Sequence, residues 1–258
     1  MPKERLSVVI ITKDEEERLA RCLESVRWAD EIVVVDDLST DRTAEICRQF
    51  GAKVISHKSE GNFDRQRNIG IDNANGEWIL QMDADEVVSE ELKEEIKRAI
   101  ASDGGFAAYK IKRKNFFLGH FLQYGGWFLY YIKLFRKHKA RYVGRSVHET
   151  LRVDGEIGQM SEPIKHFPFS SIEQFIERQN FYSSVEARLM YEDKGRLPKR
   201  MVRYNLTVRP LKLFWKLYIK KKGFRDGMYG LLFAALNSWT HFLRWAKYWE
   251  IYNNADES

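Results

Sequence analysis

Apolar positions in the first hundred residues follow two different periods. Ser7 to Thr12 (SVVIIT), Glu31 to Asp36 (EIVVVD) and Trp78 to Met82 (WILQM) are short, nearly continuous apolar runs, mostly β-branched. That is the pattern of strands buried on both faces. Lys53 to Ser56 is a shorter run of the same kind. Between these runs, Leu19, Cys22, Leu23 and Val26, then Ala44, Ile46, Cys47 and Phe50, recur at helical spacing, and Gly51 is placed to end the second helix. Asp64 to Asn75 reads as a helix weakened by Gly70 and stopped near Gly76. Ser89 caps another, with Glu90 and Glu91 in its first turn and Leu92, Ile96 and Ile100 on one face. Strand and helix in alternation predict an α/β domain with a mostly parallel sheet.

Past Gly104 the pattern changes. Phe106 to Lys112, Tyr130 to Phe135 and His148 to Val153 read as strands, the first two separated by an aromatic loop from Phe116 to Phe128 that contains glycine. Residues 172–190 return to helical periodicity. From Arg196 the chain is basic and aromatic, and Met228, Leu232, Ala235, Trp239, Phe242, Ala246 and Trp249 repeat at 3–4 spacing, an amphipathic helix. No internal repeat and no Pro- or Ser-rich linker interrupts the 258 residues. The expected division is a catalytic domain over 1–195, made of halves 1–103 and 104–195, and a basic helical extension over 196–258.

Charge sharpens this division. The net charge of +6 hides 15 basic and 24 acidic residues over 1–103 against 28 and 13 over 104–258. No acid occurs between Asp103 and Glu149, and none between Asp193 and Asp226, a gap holding twelve Lys and Arg. A solvated basic face accounts for such a bias, and so does an anionic partner such as membrane lipid, a phosphorylated glycan or nucleic acid, among which composition does not choose. The two cysteines, Cys22 and Cys47, are too few for a disulfide scaffold and suit a reducing compartment. No apolar stretch reaches the roughly 18–20 residues of a membrane span, and the polar Met1–Leu6 start has no signal-peptide character. A cytoplasmic protein, held peripherally on the inner face of the membrane, is the expectation.

Ligands of open α/β sheets bind outside the carboxyl ends of the strands. Thr12, the pair Asp36–Asp37, and Asp83-Ala84-Asp85 all stand at such ends. In extended chain Asp83 and Asp85 face the same side, and two carboxylates so close repel unless a cation or proton intervenes. A hard divalent ion, Mg²⁺ or Mn²⁺, completed by phosphate oxygens, answers that repulsion. An acidic turn ahead of the Ser89 cap is the plainer alternative. A Gly-x-Gly-x-x-Gly after the first strand would mark a dehydrogenase, and a glycine-rich basic loop a nucleotidyltransferase. The chain has Lys13-Asp14-Glu15-Glu16-Glu17 there, which suits neither.

The set Val8–Thr12, Val33-Val34-Val35-Asp36-Asp37, Arg67-Asn68 and Gly76–Leu80 leading to Asp83-Ala84-Asp85 resembles the family-two glycosyltransferases. The pieces Gly125-Gly126-Trp127, Val147-His148-Glu149, Gly223–Gly227 and Lys247–Glu250 resemble the bacterial lipopolysaccharide-core β-1,4-glucosyltransferases among them. Where that subgroup commonly carries Ser-Gly, this chain has Asp37-Leu38, as in the broad family. The resemblance implies a GT-A fold, a Rossmann-like mixed and mostly parallel sheet flanked by helices, here with a C-terminal helical extension. It implies a UDP-sugar donor, glucose foremost, and a divalent metal. Thr12, Asp36 and Asp37 would hold uracil and ribose, Arg67 the base or diphosphate, Asp83 ribose or metal, and Asp85 the metal.

The reaction implied is a single displacement that inverts the anomeric carbon. Metal and arginine would stabilise the departing nucleoside diphosphate, and a carboxylate would take the acceptor's proton. Glu149, the first acid after 45 acid-free residues, is the candidate base, with Asp154 and Glu156 next and a salt-bridge role as its alternative. His166 would join the metal or the diphosphate, or serve as a satisfied structural histidine. A lipid-linked or envelope glycan such as lipopolysaccharide core is the expected acceptor, with a polyprenyl phosphate or a protein as alternatives. An anionic membrane surface is expected as partner and nucleic acid is not. A non-catalytic membrane- or nucleic-acid-binding module would use the basic half, but it leaves the acidic strand ends unexplained.

Overall fold

The computed structural model describes residues 5–102, 104–144 and 151–254. Contacts divide the chain into two compact units, one of Met1–Lys114 with Leu129–His166 and one of Asn115–Phe128 with Phe167–Ser258. The boundary thus falls elsewhere than the compositional one at 195/196, because two segments before it pack with the C-terminal helices.

In the first unit, β1 (Leu6–Thr12), α1 (Glu16–Ser25), β2 (Glu31–Asp36), α2 (Thr43–Gln49), β3 (Lys53–Ser56), α3 (Phe63–Asn73), β4 (Trp78–Asp83), β5 (Glu86–Val87) and α4 (Glu90–Ala101) follow in order. Then come β6 (Ala108–Phe117), which ends in the second unit, β7 (His120–Phe121), which belongs to the second unit, β8 (Tyr130–Arg136), β9 (Ala140–Tyr142), β10 (Leu151–Val153), β11 (Ile157–Gln159) and β12 (Ile164–Phe169), which also ends in the second unit. The sheet order is β3-β2-β1-β4-β8-β6-β12-β5. The first four strands are parallel, and β8 runs antiparallel to both β4 and β6. A short antiparallel pair, β9 and β10, stands apart from the sheet.

Alternation along the buried strands explains how both faces are covered. Val8, Ile10, Val34, Leu80 and Met82 point to one face, where Leu19, Cys22 and Leu23 of α1, Cys47 of α2, and Leu92 and Ile96 of α4 close the core. Val9, Val33 and Ile79 point to the other, against Ile71 of α3 and Phe135 of β8. Helix ends follow their residues: the Ser89 hydroxyl accepts from Leu92 N at 3.3 Å, and the Asn62 side chain from Arg65 N at 3.0 Å.

In the second unit, β7 folds back on the end of β6 through Leu118 and Gly119, both at positive φ, as a two-residue hairpin turn requires. Helix α5 (Ile172–Lys194), α6 (Lys199–Trp215) continued by a π turn (Lys216–Lys220), and α7 (Gly227–Asn254) complete it. Phe117, Leu122, Phe175 and Phe233 form one buried cluster, and Ala187, Val202, Trp245 and Tyr248 a second. The 3–4 repeat read from the sequence of α7 is not its buried face. Met228, Trp239, Phe242 and Trp249 are exposed, whereas Phe233, Ala234, Trp245 and Tyr248 are buried. This helix is apolar nearly all round, so its neighbours α5 and α6, not its own periodicity, select the inner face.

Gly70 gains its meaning from packing. A Cβ there would lie 2.4 Å from Val9 Cγ1 and 3.2 Å from Val35 Cγ2, so the glycine that weakens α3 as an isolated helix lets it sit directly on β1 and β2. Gly70→Ala therefore costs about 1–3 kcal/mol by overpacking, despite the gain in helix propensity, and lowers the midpoint of chemical denaturation.

Candidate active site

Register sets the floor of the site. Thr12 pairs with Asp36, and Ile11 with Asp83, so the ends of β2, β1 and β4 lie side by side. Thr12 is buried, and its hydroxyl has no hydrogen-bond partner among the described residues. Asp36 accepts from the amide and hydroxyl of Ser39, which ties the turn after β2. Asp37 accepts from Ser59 N and Ser59 Oγ, both at 2.7 Å, and its own amide donates to Thr12 O at 2.9 Å. Lys13 Nζ lies 3.7 Å from it. The turn after β2 is thereby fixed against the end of β1.

The end of β4 is a knot of opposite charges. Glu86 is fully buried, with Lys133 Nζ of β8 and Arg113 Nη2 of β6 each 2.8 Å from its carboxylate. Arg113 Nη2 also reaches Asp83 at 2.8 Å, while Lys133 Nζ and Arg67 Nη2 stand 3.4 Å from it. Glu86 in turn accepts from the Asp83 amide at 2.9 Å. Burial alone would raise the Asp83 pKa, but Lys133, Arg113 and Arg67 outweigh it and hold the carboxyl well below the usual range. Arg113 responds in the opposite sense: burial disfavours its charge, and Glu86, Asp83 and Asp85 more than restore it. Beneath them, burial and then the charges of Glu86, Asp85 and Asp83 push the Cys22 thiol well up, which makes it an apolar filler rather than a nucleophile.

Asp85 takes a different partner. Antiparallel pairing of β12 with β5 sets His166 opposite Glu86, and His166 Nε2 lies 3.3 Å from Asp85 Oδ1. The expected triplet Asp83, Asp85 and His166 is not assembled: among the described residues no three such groups gather as a metal cluster. The reason is local. β4 ends at Asp83 and the chain turns at Ala84 and Asp85, so the extended geometry that would align the two carboxylates is lost, and Asp83 is drawn to the cations. The Asp85 carboxylate and His166 imidazole fit a hard divalent ion that keeps phosphate or water at its remaining positions.

Arg67 is buried, 3.7 Å from Asp64 and 5.4 Å above the centre of the Tyr142 ring. Helix α3 also holds the chain leading to the candidate base: Asp64 accepts from Gly144 N at 2.9 Å, and Asn68 exchanges hydrogen bonds with the backbone of Tyr142. Glu149 itself lies outside the described residues. On the far side of that gap, Leu151 pairs with Tyr142. Asp154 carries an ion pair with Lys139 at 2.9 Å, and both it and Glu156 are exposed.

Sequence reading missed Arg113, Lys133, Glu86 and Ser59. Lys133 gave one signal, a lone cation amid the apolar run of Tyr131 to Phe135.

The mostly parallel α/β sheet with helices on both faces, and acidic or hydroxylic residues at its adjacent strand ends, has the architecture of the GT-A glycosyltransferases. Residues 7–155 match the glycosyl transferase family 2, and the chain belongs to that family. An uncharacterised glycosyltransferase of Rickettsia felis is 33% identical, over 95% of this chain and 89% of its own length. The lipopolysaccharide core biosynthesis glycosyltransferase LpsC of Rhizobium meliloti is 26% identical, over 97% and 94%. The crystal structure of S. aureus TarS residues 1–349 in complex with UDP-GlcNAc is similar in fold, with a TM-score of 0.51 at 15% identity, over 98% of this chain and 92% of that one.

The charge knot generates a stability prediction. Lys133→Met leaves Glu86 buried without one of its cations and costs about 3–5 kcal/mol in urea denaturation. Adding Glu86→Gln recovers part of that loss, so the double variant is more stable than the sum of the two single effects allows.

Proposed function

We propose that this glycosyltransferase transfers a sugar from a UDP-sugar, with inversion, to a hydroxyl of a cell-envelope glycan. The row of strand ends carries the donor reading: Thr12, whose buried hydroxyl has no hydrogen-bond partner among the described residues, stands beside Asp36 and Asp37. A carboxylate accepting from N3–H of uracil matches the one donor on that edge, and Asp37, fixed by Ser59, has lone pairs left for it. Asp83 is kept ionised by its cations and suits the ribose hydroxyls as an acceptor. Asp85 and His166 would hold Mg²⁺ or Mn²⁺, which supplies positive charge for the diphosphate. Arg67 lies beside Asp83 and would add to that charge.

Glu149 is the base in this reading. It would accept the proton of the acceptor hydroxyl as that oxygen attacks the anomeric carbon and the bond to UDP breaks. Asp64 and Asn68 would position it through Gly144 and Tyr142. A lipopolysaccharide-core acceptor is favoured by the similarity to LpsC along nearly the whole of both chains.

Release of UDP from a panel of nucleotide sugars, with and without EDTA, tests the donor and the metal. UDP-glucose is expected to turn over, EDTA to stop it, and Asp85→Ala to abolish it without unfolding the protein. Preference for a non-uridine donor overturns the donor assignment, and full activity in EDTA overturns the metal. Glu149→Gln lowers the transfer rate by about 10²–10⁴-fold with donor affinity nearly unchanged. A rate within a few-fold of wild type moves the role to Asp154 or Glu156.

A further inference from the structure

Helix α6 is apolar on the face it does not need for packing. Val202 and Leu206 lie against Ala187, Trp245 and Tyr248. On the opposite side Met201, Tyr204, Val208, Leu211 and Trp215 are exposed, Leu211 at 73% and Trp215 at 56%, and Ile219 follows in the π turn. At 100° per residue the first five fall within about 80° of arc, and from Met201 to Ile219 the stripe is about 27 Å long. Water disfavours a row of this kind, which folding would otherwise turn toward the core, so its exposure requires a reason.

The flanks of the stripe indicate what covers it. On a helical wheel Arg200 and Arg203 border one side and Lys212, Lys216 and Arg209 the other. Lys212 Nζ lies 5.3 Å from the centre of the Tyr204 ring, so its stem covers apolar surface while its charge stays at the edge. No acid occurs from Lys194 to Arg225. A second copy of this face would bring two basic rims together with no carboxylate to separate them. A nucleic acid would satisfy the cations but leave Met201, Val208 and Leu211 in contact with phosphate and water. An anionic bilayer satisfies both, with acyl chains for the stripe and phosphate headgroups for its rims. No described helix is long and apolar enough to cross a membrane.

We infer that α6 is an in-plane anchor which lays its Met201–Ile219 stripe into the headgroup region of an anionic lipid leaflet. The anchor does not rest on the donor chemistry: it acts through residues that no step of sugar transfer uses. Its attachment is expected to be reversible, because cations at the rim are screened within about 10 Å at 0.1 M salt. It would bring the enzyme to the surface where a lipid-linked acceptor presents its glycan.

Cosedimentation of the full chain with vesicles tests this. Phosphatidylglycerol–phosphatidylcholine vesicles are expected to pull the protein down at low salt and release most of it at high salt. Phosphatidylcholine alone should retain little. Each basic residue at an anionic surface strengthens binding about fivefold, so replacing Arg203, Lys212 and Lys216 with Gln weakens it about a hundredfold. Leu211→Ser with Trp215→Ser weakens binding at least tenfold with every cation in place. Both variants should unfold at the wild-type temperature, since these side chains are exposed. Wild-type protein left in the supernatant with phosphatidylglycerol at low salt overturns the proposal. So does unchanged binding in the Leu211/Trp215 variant, or a dimer in sedimentation equilibrium that this variant dissolves.

Discussion

Two carboxylates at the end of a buried strand need cations, and in this protein the cations come from the other half of the sheet. Taking an ion from water into a protein interior costs several kcal/mol even after relaxation, and a partner recovers that cost only at close range. Glu86 meets this demand with two contacts of 2.8 Å, one from β8 and one from β6. The parallel strands read from the acidic N-terminal residues are thus joined electrostatically to antiparallel strands supplied by the basic part of the chain. The charge imbalance of the sequence is here a structural complement, with Arg113 and Lys133 answering Asp83 and Glu86.

The same knot shapes the chemistry. Asp83 is ionised and occupied on its cationic side, and in the proposed function that leaves Asp85, with His166, to hold the metal. A leaving diphosphate would meet positive charge from the arginine side, next to an ionised carboxylate suited to ribose. Both signs are fixed by the protein before any ligand arrives, which is what electrostatic stabilisation of a developing charge requires. Helix α3 meets the candidate site at two points, through Arg67 at Asp83 and through Asp64 and Asn68 at Gly144 and Tyr142, and Gly70 lets it lie close to the sheet.

Much of the first unit was legible in the sequence because its strands are buried on both faces. β1, β2 and β4 read as unbroken apolar runs, and the register brings their polar ends side by side. What was hidden depended on non-local pairing. The two-residue β5 and three-residue β11 are too short to carry a period, yet β5 brings His166 to Asp85. Asp83 and Asp85 were expected on one side of an extended chain, which the turn at Ala84 prevents. Arg113 looked like an ordinary strand cation, and although Lys133 stands alone in an apolar run, nothing local says that it faces a buried glutamate. In α7 the periodicity pointed to the exposed face, because a helix apolar on all sides takes its orientation from its neighbours.

In the proposed function the ends of β1, β2 and β4 form a uridine-diphosphate site whose diphosphate end is Asp85 and His166. Diffraction from crystals of the chain soaked with UDP and Mn²⁺ tests it most directly, since the anomalous signal locates the metal independently of the nucleotide. Uracil is expected against Thr12 and Asp37, ribose at Asp83, and a manganese peak within ligand distance of Asp85 and His166. Nucleotide bound away from these strand ends, or a manganese peak at any other carboxylates, would contradict it.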